Sequence, residues 1–89
     1  MDKILATKEK MIAAPIGAQS VYPKGIRSVY QLVARVGYQG EIYTCAEVTH
    51  YNADTGNIIT SNAIKNSKNP DIAWNAYQAA LKNNEWGTQ

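Results

Sequence analysis

The side chains able to do chemistry are few in this chain. There is one histidine, His50, one cysteine, Cys45, and seven carboxylates with no pairing pattern. No nucleophile elbow, phosphate loop or metal-ligand spacing is present. Cys45 and His50 are separated by an odd number of residues on one predicted strand, so they point to opposite faces and do not form a nucleophile–base dyad. Cys45 reads as a small semi-buried side chain and His50 as a surface residue at a strand end or hairpin. Gly37 and Gly40 lack a third glycine at phosphate-binding spacing and read as turn residues. The expectation is a protein without catalytic residues, cofactor or metal, because no pair of groups has the reach that acid–base or nucleophilic catalysis needs.

Residues suited to recognition are better represented. On the predicted outward sheet face, Arg35 lies on the strand next to the one carrying Tyr43 and Glu47, and Tyr51 follows at the start of the next loop. Tyrosine and arginine are favoured anchors of protein interfaces. Trp74, off the main stripe of its helix, is a further candidate, and Trp86 poses the same question near the end of the chain. Lys24, Arg27, Lys65 and Lys68 fall in or beside the loops flanking the sheet, where they could touch phosphates.

These residues must be positioned by a small scaffold. The chain has 89 residues, 45% hydrophobic and 18% charged, with a net charge of +2. That length supports one modest core, so residues 1–89 are read as a single domain. The charge is far below that of a chain binding nucleic acid by charge alone. A single cysteine excludes an internal disulfide and cysteine-cluster metal sites and fits a reducing cytoplasm. No signal-peptide hydrophobic region and no membrane-spanning apolar run is present.

Within residues 1–14, Ile4, Leu5, Met11 and Ile12 share one helical face, which predicts a short amphipathic helix, with a strand as the competing reading. Residues 15–25, with Pro15, Gly17, Pro23 and Gly25, read as loop. From Ile26 the period becomes two, and residues 26–64 read as a three-stranded meander. Its turns are Gly37-Tyr38-Gln39-Gly40 and a loop within residues 51–57, and its third strand covers about 57–64. Residues 65–69 are read as polar loop. Asn69 as cap, Pro70 at the first helical position and Asp71 in the first turn then open a helix over 69–84, with Ile72, Ala73, Ala76, Tyr77 and Ala80 as its buried stripe and Asn83 and Asn84 ending it. The predicted fold is α+β, a three-stranded antiparallel sheet covered on one face by the C-terminal helix. Its edges and polar face are also compatible with a homodimer.

Two resemblances follow. The α-β-β-β-α order, with Val29-Tyr30-Gln31-Leu32 in the first strand and Asn66-Ser67-Lys68 leading to Ala73, Ala76, Ala79, Ala80 and Leu81, is similar to double-stranded-RNA-binding domains. That likeness implies phosphate contacts at the start of the last helix, where this chain reads Lys68-Asn69-Pro70-Asp71. The size, the short sheet with its helix and the lack of catalytic residues resemble the small phage-encoded inhibitors of host machinery, anti-CRISPR proteins among them. This second likeness implies a cytoplasmic, non-catalytic inhibitor of a bacterial protein or nucleoprotein complex, and is the expectation carried forward. Nucleic-acid binding through Lys24, Arg27, Lys65 and Lys68 is the alternative.

Overall fold

The computed structural model describes residues 2–14 and 16–83. Four strands and one helix follow in chain order: β1 (Lys3–Ile12), β2 (Ile26–Val36), β3 (Ile42–Asn52), β4 (Ile58–Ser67) and α1 (Pro70–Asn83). The strands form one antiparallel meander in the order β1-β2-β3-β4. The fold is therefore α+β as expected, with one strand more than the sequence predicted.

The added strand is β1, in the segment read as a helix. A helix of that length is marginal in water without strong caps, whereas β2 offers a full ladder of partners. Lys3 pairs with Ala34 and Ile12 with Ile26, with an irregularity between Ile4 and Ala6. This irregularity explains the misreading. It admits Leu5 as an extra residue and shifts the face on which Ile4 sits, so the apolar doublets Ile4-Leu5 and Met11-Ile12 do not alternate as an unbroken strand would.

β2 and β3 pair through eleven consecutive positions, from Ile26↔Asn52 to Val36↔Ile42, without a break. Their even-numbered residues face the helix. Tyr30, Leu32, Ala46 and Val48 are buried there against Ala73, Tyr77 and Ala80 of α1, with Ala6, Ile64 and Leu81 packed at the margin. Alanines at two of the three buried helix positions let the helix axis approach the sheet closely. Ile72, predicted for this stripe, is instead exposed, because it falls about 100° round the helix from Ala73.

β4 runs to Ser67 rather than stopping near Ile64. A register shift re-phases the strand so that Lys65, Asn66 and Ser67 pair with Ala46, Cys45 and Thr44, and polar side chains are tolerated because β4 is an edge. The helix start is as predicted: the Asp71 N–H donates to Asn69 Oδ1 at 3.0 Å, a side-chain cap. At the other end the Lys10 Nζ donates to the Leu81 carbonyl, satisfying one of the acceptors that a helix C-terminus leaves open.

His50 departs most from expectation. It is fully buried, not at the surface, because β3 continues to Asn52 and its even position faces inward. There Ser28, its partner in register, lies with Oγ 2.7 Å from His50 Nδ1. Cys45 points to the opposite face, buried, with its Sγ 3.2 Å from Asn66 Oδ1.

Candidate protein-binding face

The odd-numbered side chains of β2 and β3 form the second face of the sheet, on which no helix lies among the described residues: α1 contacts the sheet through the other face. In register the face reads Arg27 beside Tyr51, Val29 beside Thr49, Gln31 beside Glu47, Val33 beside Cys45 and Arg35 beside Tyr43. β1 adds Glu9 opposite Val29 and Met11 opposite Arg27. Strand alternation alone therefore gathers Arg27, Arg35, Tyr43, Glu47 and Tyr51, five of the nine residues the sequence singled out.

Two charged clusters organise this face. Arg35 forks onto Glu47, with Nη1 and Nη2 donating to the two carboxylate oxygens at 2.8 and 2.9 Å, while its Nε donates to Asp2 Oδ2 at 3.0 Å. Glu47 foremost, then Asp2, hold the guanidinium above its ordinary range, with desolvation working in the opposite direction. The Arg35–Glu47 bridge spans the Val33–Cys45 pair, and both of those residues are buried although none of the described helices and strands packs over this face. At the far end Arg27 pairs with Glu9 and lies 4.4 Å over the centre of the Tyr51 ring. A groove of about 560 Å³ runs here, bordered by Thr7, Glu9, Arg27, Val29 and Tyr51.

Lys68 joins the face as well, with its Nζ 5.6 Å from the centre of the Tyr43 ring. The remaining candidates lie elsewhere. Lys24 is in the loop before β2, 3.4 Å from Asp54. Lys65 is exposed on the β4 edge. Trp74 is on the helix, half exposed and stacked on Tyr77 with ring centres 5.7 Å apart. Trp86 and Asn84 lie outside the described residues.

Asp2 and Glu9 were missed by sequence reasoning, and both follow from β1. Once residues 3–12 are read as a strand, the alternation Thr7, Glu9, Met11 places Glu9 beside Arg27. At the corners of the face Ile4, Met11 and Ile58 are 57, 63 and 64% exposed, each standing in register beside an open-face residue. The arrangement is a mixed surface of aromatic rings beside cations, arginines paired with carboxylates, and apolar corners.

Among the described residues no group of three or more His, Cys, Asp or Glu side chains could hold a metal ion, and no helix is long and apolar enough to cross a membrane. The Ser28–His50 pair has the atoms of a nucleophile and base but is sealed in the core. No protein-family model, curated protein or solved structure matches the chain.

Proposed function

We propose that the chain is a non-catalytic protein-binding module whose open sheet face docks on a bacterial protein or nucleoprotein complex and inhibits it in the cytoplasm, in the manner of phage anti-defence proteins such as the anti-CRISPR type. The observation that carries this reading is the pairing of cations on that face. Arg35 is neutralised by Glu47 and Asp2 and Arg27 by Glu9, so a phosphate approaching either guanidinium also meets a carboxylate. A protein surface carrying both signs of charge meets no such conflict, and Tyr43 and Tyr51 supply the rigid aromatic contact area that dominates protein interfaces. Arg35, Tyr43, Glu47 and Tyr51 are its anchors.

Of Lys24, Arg27, Lys65 and Lys68, the basic residues on which nucleic-acid binding would depend, Lys24 lies in a loop, Lys65 on a sheet edge, and Arg27 and Lys68 on the open face, Arg27 there paired with Glu9. The element order is β-β-β-β-α, unlike the α-β-β-β-α order of double-stranded-RNA-binding domains.

The test is capture of the tagged chain and its Tyr43→Ala variant from bacterial lysate, each with and without exhaustive nuclease digestion. The expected result is a stoichiometric protein that survives digestion with the parent chain and is lost with the variant. Retention of nucleic acid, with every protein partner vanishing on digestion, would replace this reading with the nucleic-acid one.

A further inference from the structure

The two ends of the molecule are complementary in shape and chemistry. The chain is elongated, with principal extents of 45 × 23 × 20 Å, and β2 and β3 span its length. At one end these strands join in a tight turn: the Gly40 N–H donates to the Gly37 carbonyl at 3.1 Å and the Gly37 N–H to the Glu41 carbonyl at 2.6 Å. Gly40 adopts φ +85°, giving the three-residue loop in which a left-handed glycine closes the hairpin. The Gln39 N–H donates to the Glu41 carboxylate at 3.0 Å, fixing the turn further.

Turn chemistry asks for small or polar residues here, yet Tyr38 projects from the tip fully exposed, and the cross-strand pair Val36 and Ile42 behind it is 55 and 64% exposed. The tip is a rigid, convex, apolar plug.

At the opposite end, where Ile12 pairs with Ile26, the loop before β2 closes over the end of β1 and leaves an open cleft of about 400 Å³. Met11, Ile12, Ala13, Tyr22, Pro23 and Lys24 border it. A tyrosine ring fits that volume, and Met11, Ile12, Ala13 and Pro23, beside the polar Gln19, offer apolar surface to match Val36 and Ile42. Lys24 at the rim, 3.4 Å from Asp54 but with 71% of its side chain exposed, is opposite in charge to Glu41 at the base of the tip. Because β2 separates tip and cleft by its eleven residues, about 36 Å at strand rise, no chain can place its own tip in its own cleft.

The geometry points to a second copy of this chain as the occupant: the Tyr38 tip of one molecule inserts into the cleft of the next. The contact is heterologous and does not close, so it propagates head to tail into short chains. Tyrosine buries about 150–250 Å². With Val36, Ile42 and the matching cleft surface the total is roughly 600–800 Å², below the ~1,200 Å² of a stable standard interface, so association is reversible and grows with concentration. This assembly uses Met11 at one corner of the open sheet face but none of Arg35, Tyr43, Glu47 and Tyr51.

Sedimentation velocity from micromolar to millimolar concentration tests it on the full chain. The parent protein should sediment faster as concentration rises, without levelling at dimer. Tyr38→Ser removes only an exposed ring and Ala13→Arg fills an exposed cleft position with charge. Each alone should weaken association by about tenfold or more, with circular dichroism unchanged. An equimolar mixture of the two, one with an intact cleft and the other with an intact tip, should form a one-to-one dimer and nothing larger. A parent chain that stays monomeric at millimolar concentration, a Tyr38→Ser chain that assembles like the parent, or a mixture that remains monomeric would each overturn the proposal.

Discussion

Replacing Ser28 by alanine removes one oxygen atom, yet it should be among the most costly small changes in this chain. Ser28 and His50 are both fully buried, and Ser28 Oγ sits 2.7 Å from His50 Nδ1. Alanine leaves that ring nitrogen without its hydroxyl partner in a site that water does not reach, which costs about 1–3 kcal/mol. The whole domain, at about 0.05–0.15 kcal/mol per residue, is worth only roughly 4–13 kcal/mol. At about 4–8 °C per kcal/mol for a domain of this size, Tm should fall by roughly 5–20 °C. Urea unfolding should show a lower midpoint with an unchanged slope. In a double-mutant cycle with His50→Leu, the double variant should be more stable than the sum of the single losses implies, with a coupling of about 1 kcal/mol or more. A Ser28→Ala chain within about 0.5 kcal/mol of the parent, or strictly additive losses, would refute the view that this buried pair fixes the registered end of β2 and β3.

Three further outcomes are expected. Gly25 has φ +85°, and a Cβ built there lies 2.9 Å from the Ile12 carbonyl oxygen, whereas Gly40, also at φ +85°, meets nothing within 4 Å. Gly25→Ala should therefore destabilise clearly more than Gly40→Ala, whose loss should stay near the 1–2 kcal/mol of a left-handed alanine, as read by chemical denaturation. Asn69→Ala should cost about 0.5–2 kcal/mol in the same assay, because it removes the cap that receives the Asp71 N–H. Burial raises the Tyr77 pKa, so from about pH 10 upward the unfolded chain releases that phenolic proton while the folded chain keeps it, and stability falls with pH. Urea midpoints followed through that range should fall less steeply for Tyr77→Phe than for the parent.

The physics that made parts of this fold legible in the sequence is local. Tyr30 to Val36 and Ile42 to Val48 alternate cleanly, so β2, β3 and their turn could be read directly, and Asn69-Pro70-Asp71 announced the helix. That Arg35, Tyr43 and Glu47 share a face followed from parity, since odd positions of two paired strands point the same way, whereas Tyr51 was expected at the start of a loop and lies within β3. What failed to show depended on partners distant in the chain. β1 is a strand because β2 pairs with it, and the irregularity at Leu5 hid its alternation. The end of β4 was obscured in the same way by a shift that pairs Lys65 with Ala46. His50 is buried because β3 runs on past it and Ser28, 22 residues earlier, stands opposite. With β1 misread, Asp2 and Glu9 could not be recognised as the acids that neutralise Arg35 and Arg27.

The most direct test of the proposed binding face is the affinity of the retained protein partner for seven single alanine variants. Four remove open-face side chains, at Arg27, Arg35, Tyr43 and Tyr51, and three remove Lys24, Lys65 and Trp74, which lie elsewhere. Binding through the open sheet face predicts that the tyrosine variants weaken affinity by about 2 kcal/mol or more, roughly thirtyfold, that the arginine variants also weaken it, and that the other three match the parent. Losses concentrated at Lys24, Lys65 or Trp74, with Tyr43→Ala and Tyr51→Ala binding as the parent does, would contradict it.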